Sequence, residues 1–374
     1  MDFTIPEMHN DIKALASDML ADFSSAERLK GLEANGAYFD KEVWGKMVET
    51  SLHAASLPES LGGMGLDYLA TSMVSEALGQ TLVSVPYIPC IVSAALPLAS
   101  LTDNAVVKSA LEGVVAGRVL LTAGFIELGN EDTFDPSTVA VVTGSTATIS
   151  GAKACVPFAH DADKVFMSAK AGDELVAVLV DLKQSSVSFD EQYATSNEPQ
   201  AQVVFNHATA DVIAKGDKAV ALFEQAIAMT TVAYCSMAVG AAAKMTKISC
   251  EYTSQREQFG VPIATFQAVA HRLANAYIDT DCLRITALKA AYDVNHGEYD
   301  SDVISMAKVW CGDVLHRVSH TAQHVHGGAG IDKDYHLFRY CLWAKQLELS
   351  LGSTRVHLAK VADSIAAKYL AEVA

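Results

Sequence analysis

Basic residues are scarce in this sequence. Its 374 residues carry 27 Lys and Arg against 44 Asp and Glu, a formal charge of −17. A polyphosphate backbone is repelled by that balance, so nucleic acid is excluded as a partner. Paired cysteines are missing as well. The seven cysteines stand singly and mostly inside apolar runs, with no Cys-x-x-Cys, as in a reducing compartment where thiols pack as small hydrophobes. The first residues show neither a basic n-region nor an apolar h-region, so no signal peptide is expected. No uninterrupted apolar run reads as long enough to span a bilayer, and the expected setting is cytoplasmic, with no membrane partner. Gly-x-Ser-x-Gly, Walker and dinucleotide-type glycine patterns are absent, which removes support for a hydrolase or a nucleotide triphosphatase. Repeats and low-complexity stretches are absent too.

What is present is apolar mass. At 51% hydrophobic residues the chain can bury a large core, and its length suggests two or three domains. Much of the surplus is Ala and Val, which suits long packed helices and an oligomer. The pattern runs α, then β, then α. Ile12, Leu15, Met19 and Leu20 form a helical stripe, and Asp40 can cap a second helix through Val43, Trp44, Met47 and Val48. A Pro-Glu-x-x-Gly-Gly-x-Gly loop follows at residues 58–65, then a helix from Tyr68. Residues 139–151 read as two strands about a Gly-Ser turn, with further strands at 164–169, 174–182 and 201–205. Helices are expected over 217–255, 263–294, 300–326 and 334–371, the last broken near Gly352. The expected domains are 1–118 (helical), 119–215 (β) and 216–374 (helical bundle).

Between the first two of those long helices stands Arg256-Glu-Gln-Phe-Gly-Val-Pro-Ile-Ala-Thr-Phe-Gln267, punctuated by Gly260 and Pro262. About 65 residues on comes Ala322-Gln-His-Val-His-Gly-Gly-Ala-Gly330, followed by Arg339-Tyr-Cys-Leu-Trp-Ala-Lys345. Together with the glycine loop and the α-β-α order, these resemble the acyl-CoA dehydrogenase family across nearly the whole chain. The resemblance implies an α+β fold with an N-terminal helical domain, a middle β-barrel or sandwich and a C-terminal four-helix bundle. It also implies FAD shared across a subunit interface. Arg256, Phe259, Gln267, Gln323, Gly327, Gly328 and Gly330 would be this chain's contribution to it. A guanidinium suits the pyrophosphate, and glycines let backbone approach the adenylate half.

Other family parts are changed. The carboxylate base expected in a Tyr-Glu-Gly-Thr segment falls on Ser350-Leu351-Gly352-Ser353, so Leu351 occupies its place and no catalytic residue is assigned. The family's alternative base position falls on Thr230 and Thr231. Glu348 and Glu224 remain as displaced candidates. The family's flavin-stacking Lys-x-Trp-Ile-Thr reads Lys153-Ala-Cys-Val-Pro157, and Glu131 and Asp132 would bring carboxylates to its small-residue turn. His320, His324 and His326 cluster beside the glycine loop, with packing favoured over zinc for want of further ligands.

The pattern is closest to the base-lacking chains of α2β2 acyl-CoA dehydrogenases of bacterial steroid side-chain degradation. It implies a homologous partner bearing the catalytic Glu, an acyl-CoA substrate and an electron-transfer acceptor. A self-sufficient dehydrogenase using Glu348 or Glu224, and a non-catalytic structural member, are the alternatives.

Overall fold

The computed structural model describes residues 4–36 and 38–373. The opening three residues, part of the stretch read above for a signal peptide, lie outside that range. The chain begins with helices α1 (Glu7–Ala21), α2 (Ala26–Ala34), α3 (Lys41–Glu49) and α4 (Tyr68–Thr81). A π-type segment over Tyr87–Ala95, the single turn α5 (Leu96–Leu98) and α6 (Ala105–Val115) follow. Asp40 caps α3 as expected, its Oδ1 accepting from the Val43 N–H at 3.2 Å. α2 and α6 are additional to the sequence reading. Strands then run as β1 (Leu121–Gly124), β2 (Val139–Thr143), β3 (Thr146–Pro157), β4 (Lys164–Ala171), β5 (Glu174–Asp181), β6 (Val187–Tyr193) and β7 (Pro199–Lys215). Helices complete the chain: α7 (Asp217–Gln255), α8 (Gln267–Asn295), α9 (Ser301–His326), α10 (Leu337–Leu349) and α11 (Thr354–Val373).

Two compact units arise from non-contiguous stretches. One comprises Leu32–Asp67 and Ser84–Thr230. Its strands form a ring in which β4, β5, β7, β3 and β2 pair in turn, closed by Val139 of β2 beside Lys170 of β4. The 17-residue β7 is long enough to pair with β3 along its length, with β6 near its start and with β5 near its end. Ile149, Val156, Val165, Val178, Val203 and Phe205 fill the interior. β1 and β6 lie outside the sequence reading, since β1 is too short for a period and the apolar alternation of β6 stops after Val187 and Phe189, at Asp190-Glu-Gln192.

The other unit comprises Met1–Gly31, Tyr68–Val83 and Thr231–Ala374. Within it α9 packs against α8, α10 and α11, while α4 packs against α1 and α8. The contact of α4 with α7 is made by small residues. The Ser72 and Ser236 hydroxyls meet at 2.6 Å. A Cβ on Gly79 would stand 1.9 Å from the Met237 carbonyl oxygen, and one on Gly240 would stand 1.9 Å from that of Glu76. Only hydrogen fits at either position, because backbone faces backbone there. Contrary to the expectation of no bilayer-length run, α7 is long and apolar enough to cross a membrane by length and composition. Yet 89% of its most apolar 18-residue window is buried.

Gly240→Ala is therefore expected to destabilise the protein by about 3 kcal/mol or more, a backbone overlap that no rotamer relieves. Gly45→Ala, in α3 with nothing within 4 Å of the added methyl, is expected to be neutral or to gain up to about 1 kcal/mol of helix propensity. Urea unfolding of the two variants checks both signs.

Candidate functional site

α7 runs into a hairpin whose first residue is Arg256. Its N–H donates to the Tyr252 oxygen and its carbonyl accepts from the Ile263 N–H, both at 2.8 Å. Strands β8 (Glu257–Gln258) and β9 (Val261–Pro262) pair across Phe259 and Gly260, which have φ of +57° and +81°. Two positive φ angles in a two-residue turn suit the twist of a tight hairpin, though glycine or asparagine usually supplies them. Here a phenylalanine does so while 93% exposed, its ring edge-on to that of Phe266 with 6.2 Å between centroids. Burial within this chain therefore does not explain an aromatic ring at the tip. Gln267, at the start of α8, is exposed. Arg256 is exposed too, and among the described residues its guanidinium has no ion pair.

His326 ends α9 beside this hairpin. Its Nδ1 lies 2.7 Å from the Ala322 oxygen and its Nε2 3.2 Å from the Tyr335 hydroxyl. Its ring stacks on Tyr252 at 4.3 Å. Burial holds this imidazole below its ordinary pKa. Tyr252 is one helical turn before Arg256, so this stack brings the hairpin stem and the glycine loop together. The loop's glycines differ in what requires them. Gly330 is required by the chain itself, because a Cβ there would meet the Gln323 oxygen at 2.7 Å. Gly328 has open space within 4 Å of where a Cβ would stand, and no positive φ. Among the described residues nothing requires that glycine. His320 and His324 are exposed, and among the described residues no group of three or more His, Cys, Asp or Glu side chains could hold a metal ion.

After α10, Leu351 adopts φ +56° and Gly352 φ +102°. A left-handed leucine is costly and persists only when its surroundings fix it. Lys308 of α9, with no exposed surface, donates to the Leu347 oxygen at 2.6 Å and the Glu348 oxygen at 3.0 Å, satisfying the C-terminal carbonyls of α10. His357 of α11 places Nε2 3.0 Å from the Leu351 oxygen and Nδ1 3.1 Å from the Ser305 hydroxyl. Sequence reasoning missed both groups. A charged residue in the inward phase of an apolar helix was the available sign for Lys308. Glu348 is paired with Lys345 at 2.5 Å. Glu224 is exposed on α7, and the Thr230 hydroxyl donates to the Ala226 oxygen at 2.6 Å.

In the β unit, Cys155 is exposed at an irregularity of β3, with φ +50° and its N–H donating to Gln192 Oε1 at 2.7 Å. Asp132 does not reach away from its loop: its Oδ1 accepts from the Phe134 N–H at 2.8 Å, an Asx turn, and Glu131 is exposed. The buried pair beside them went unread in the sequence. Lys153 Nζ lies 2.7 Å from Glu127 Oε1, and the Glu127 carboxylate also accepts from the Ser137 and Thr138 N–H groups. Burial disfavours its charge, but Lys153 and Thr138 outweigh that and hold the carboxyl down at about 2. Three of the seven cysteines are buried, Cys90, Cys235 and Cys311, while Cys155 and Cys250 are exposed, fewer buried thiols than their apolar surroundings suggested.

Comparison with known proteins completes the description. The profile described as "Acyl-CoA dehydrogenase, N-terminal domain" matches residues 6–118, and "Acyl-CoA dehydrogenase, C-terminal domain" matches residues 220–366. Acyl-CoA dehydrogenase FadE27 of Mycobacterium tuberculosis is 30% identical, over 98% of this chain and 99% of that protein. The chain belongs to the acyl-CoA dehydrogenase family. This acyl-CoA dehydrogenase fold superposes on a variant of the steroid ACAD Tcur3481-Tcur3483 with a TM-score of 0.91, at 31% identity over 97% of this chain and 99% of that one. On a chain of the ChsE4-ChsE5 complex from Mycobacterium tuberculosis the TM-score is 0.90, at 30% identity over 98% and 99%. Its three-part order of helical, β-rich and helical domains is the family's.

The dehydrogenase fold carries one pH dependence at the Leu351 loop. Burial pushes His357 down to about 4, so it is neutral when folded and protonates more readily when unfolded. Its share of stability is complete above about pH 6.5 and is lost as pH falls towards 4, at up to roughly 1.4 kcal/mol per unit. His357→Gln is expected to remove that share of the slope, leaving the smaller contributions of His53, His326 and His336, whose values burial also lowers, and the opposing one of Glu198, whose carboxyl burial raises to about 7. Denaturant unfolding at pH 7.5, 6 and 5 reads it.

Proposed function

We propose that this chain is the base-lacking subunit of a heteromeric, FAD-dependent acyl-CoA dehydrogenase of α2β2 form. It completes the flavin site of a homologous partner that carries the catalytic glutamate. The observation that carries the reading is Leu351. A residue that cannot accept a proton stands in the base position, on a loop fixed by Lys308 and His357. The exposed Arg256 hairpin and the glycine loop are meanwhile intact. The two-component names of the Tcur3481-Tcur3483 and ChsE4-ChsE5 relatives support a heteromer, and the description of the former as a steroid ACAD supports an acyl-CoA with a steroid-derived acyl group.

The residues present fit FAD on one side only. Arg256, exposed at the hairpin stem, offers a bidentate fork to a pyrophosphate. Gly327 and Gly328 leave the backbone open to an adenylate, while Gln267 and Gln323 supply amides at its margins. The tip ring of Phe259 is placed to exclude water. On the other side, Cys155 stands where the family has a stacking tryptophan, and Pro157 offers no hydroxyl. When bound, the flavin supplies a hydride acceptor for the β-carbon of the thioester, and the α-proton goes to the partner's carboxylate. This chain's part is to bind and orient. Such chemistry implies an electron-transfer acceptor as a further partner of the complex. Glu348, engaged by Lys345, is poorly placed to act as a displaced base. The domains of the reading are 1–118, 119–215 and 216–374.

Expressed alone, the chain is expected to be colourless; co-expressed with its homologous partner, it should give a yellow complex with one FAD per heterodimer. A flavin-loaded, active homotetramer of this chain alone would sink the proposal. Arg256→Ala should weaken flavin retention about 30- to 1000-fold, the equivalent of about 2–4 kcal/mol for a charge-assisted fork. The far-UV spectrum should not change, and Arg256→Lys should recover part of the loss. Flavin absorbance per heterodimer is the measurement. Equal loss from mutating the partner's matching arginine would overturn the one-sided assignment.

A further inference from the structure

We infer that the cavity beneath the β6–β7 turn binds a small organic cation, a primary amine on a compact apolar body. The cavity measures about 220 Å³ and lies wholly within the β unit. That volume suits a small amine and is too little for a dinucleotide or a thioester of coenzyme size. Three carboxylates line it, Asp161, Glu191 and Glu198, with the His160 imidazole also at the wall, and among the described residues no lysine or arginine does. The neighbouring Lys41 is taken up by Asp161 at 3.5 Å and lies over the Phe39 ring.

The acids are oriented by neighbours. Gln200 Nε2 donates to Glu198 Oε2 at 2.7 Å, and the Tyr193 hydroxyl donates to Glu191 Oε2 at 2.6 Å. Glu198 is the innermost of them, only 8% exposed. Burying a carboxylate is expensive, and here burial drives the carboxyl up to about 7 despite Gln200. An ammonium group replacing that proton would be stabilised by a charge already desolvated by the fold. The walls suit the rest of such a ligand. Tyr38, Phe39 and Tyr193 border the cavity, and Tyr193 is 86% exposed at its mouth. Aromatic faces attract a cation and shelter an apolar body. A negatively charged ligand would be repelled by the acids, and a neutral one would gain the aromatic walls alone. The site belongs to no part of the proposed flavin surface, which lies on the other unit.

The test is isothermal titration of the purified full chain, within its complex where a partner co-purifies. The probe is 2-phenylethylamine, with 2-phenylethanol as its neutral isostere. Saturable one-to-one binding of the amine is expected, with the alcohol at least about tenfold weaker. Glu198→Gln should weaken the amine by at least about tenfold, and Glu191→Gln and Tyr193→Ala each by a few-fold. Glu198→Gln keeps the shape of the side chain and removes a buried acid, so its melting temperature at pH 8 should hold or rise. Glu191→Gln, on an exposed strand, gives a second readout should that variant misfold. Absence of saturable binding to the wild type, equal binding of the alcohol, or unchanged affinity in both acid variants would overturn the assignment. Flavin occupancy of the complex should not change in any of these variants, so the failure of this proposal and that of the heteromer are read separately.

Discussion

One close approach in the helical unit is made through glycine hydrogen atoms. Gly79 and Gly240 face the carbonyls of Met237 and Glu76, so α4 and α7 touch backbone to backbone. Helix pairs separated by larger side chains can slide or rotate by a rotamer change; at these two points α4 and α7 have no side chain to adjust. α7 is thereby fixed along its second half, which carries Tyr252 and ends at Gln255, just before Arg256. The stack of Tyr252 on His326 passes the same register to the end of α9 and its glycines. The exposed hairpin thus inherits its direction from a contact made by two hydrogen atoms.

The loop after α10 shows the same logic with polar atoms. A buried ammonium holds the last carbonyls of α10, and a neutral imidazole holds the carbonyl of Leu351. Neither interaction involves the side chain at position 351. The backbone of this loop is therefore held by α9 and α11, independently of the side chain displayed at 351. The β unit has handled its acids differently. Glu127 is neutralised by Lys153 and amide donors, while Glu198 accepts from the Gln200 amide beside a cavity. Two buried carboxyls, held at about 2 and about 7, show how strongly the immediate neighbours of an acid decide its charge in the same fold.

Much of this was readable from residue order. The long helices carried clear three-to-four-residue periods, and α7 begins and ends where that period and its flanking Gly216 and Arg256 imply. Asp40 announced its own cap. The hairpin was marked by Gly260 and Pro262, and the family motifs directed attention to Arg256 and Gly327. What escaped was decided by tertiary placement. β1 has four residues and borrows its conformation from β4. The roles of Lys308 and His357 exist only because three helices converge on one loop. Asp132 looked like an intruding charge, but a local hydrogen bond turned it back on its own backbone. Glu198 resembled any acid in a polar turn until the fold closed over it.

The interleaving of the two units sets the order in which they can be completed. α1 and α4 bury Ile12, Leu20, Met73 and Leu78, yet α8, which covers α4, begins at Gln267. A ribosome must therefore add nearly two hundred residues after α4 before that face finds its partner. The β unit, ending at Thr230, is finished first and can fold while the earliest helices still wait. Contacts this distant in sequence are slow to form, and the waiting surface is apolar. α1 and α4 are consequently the segments most in need of protection during synthesis, since they leave the ribosome well before the helices that cover them.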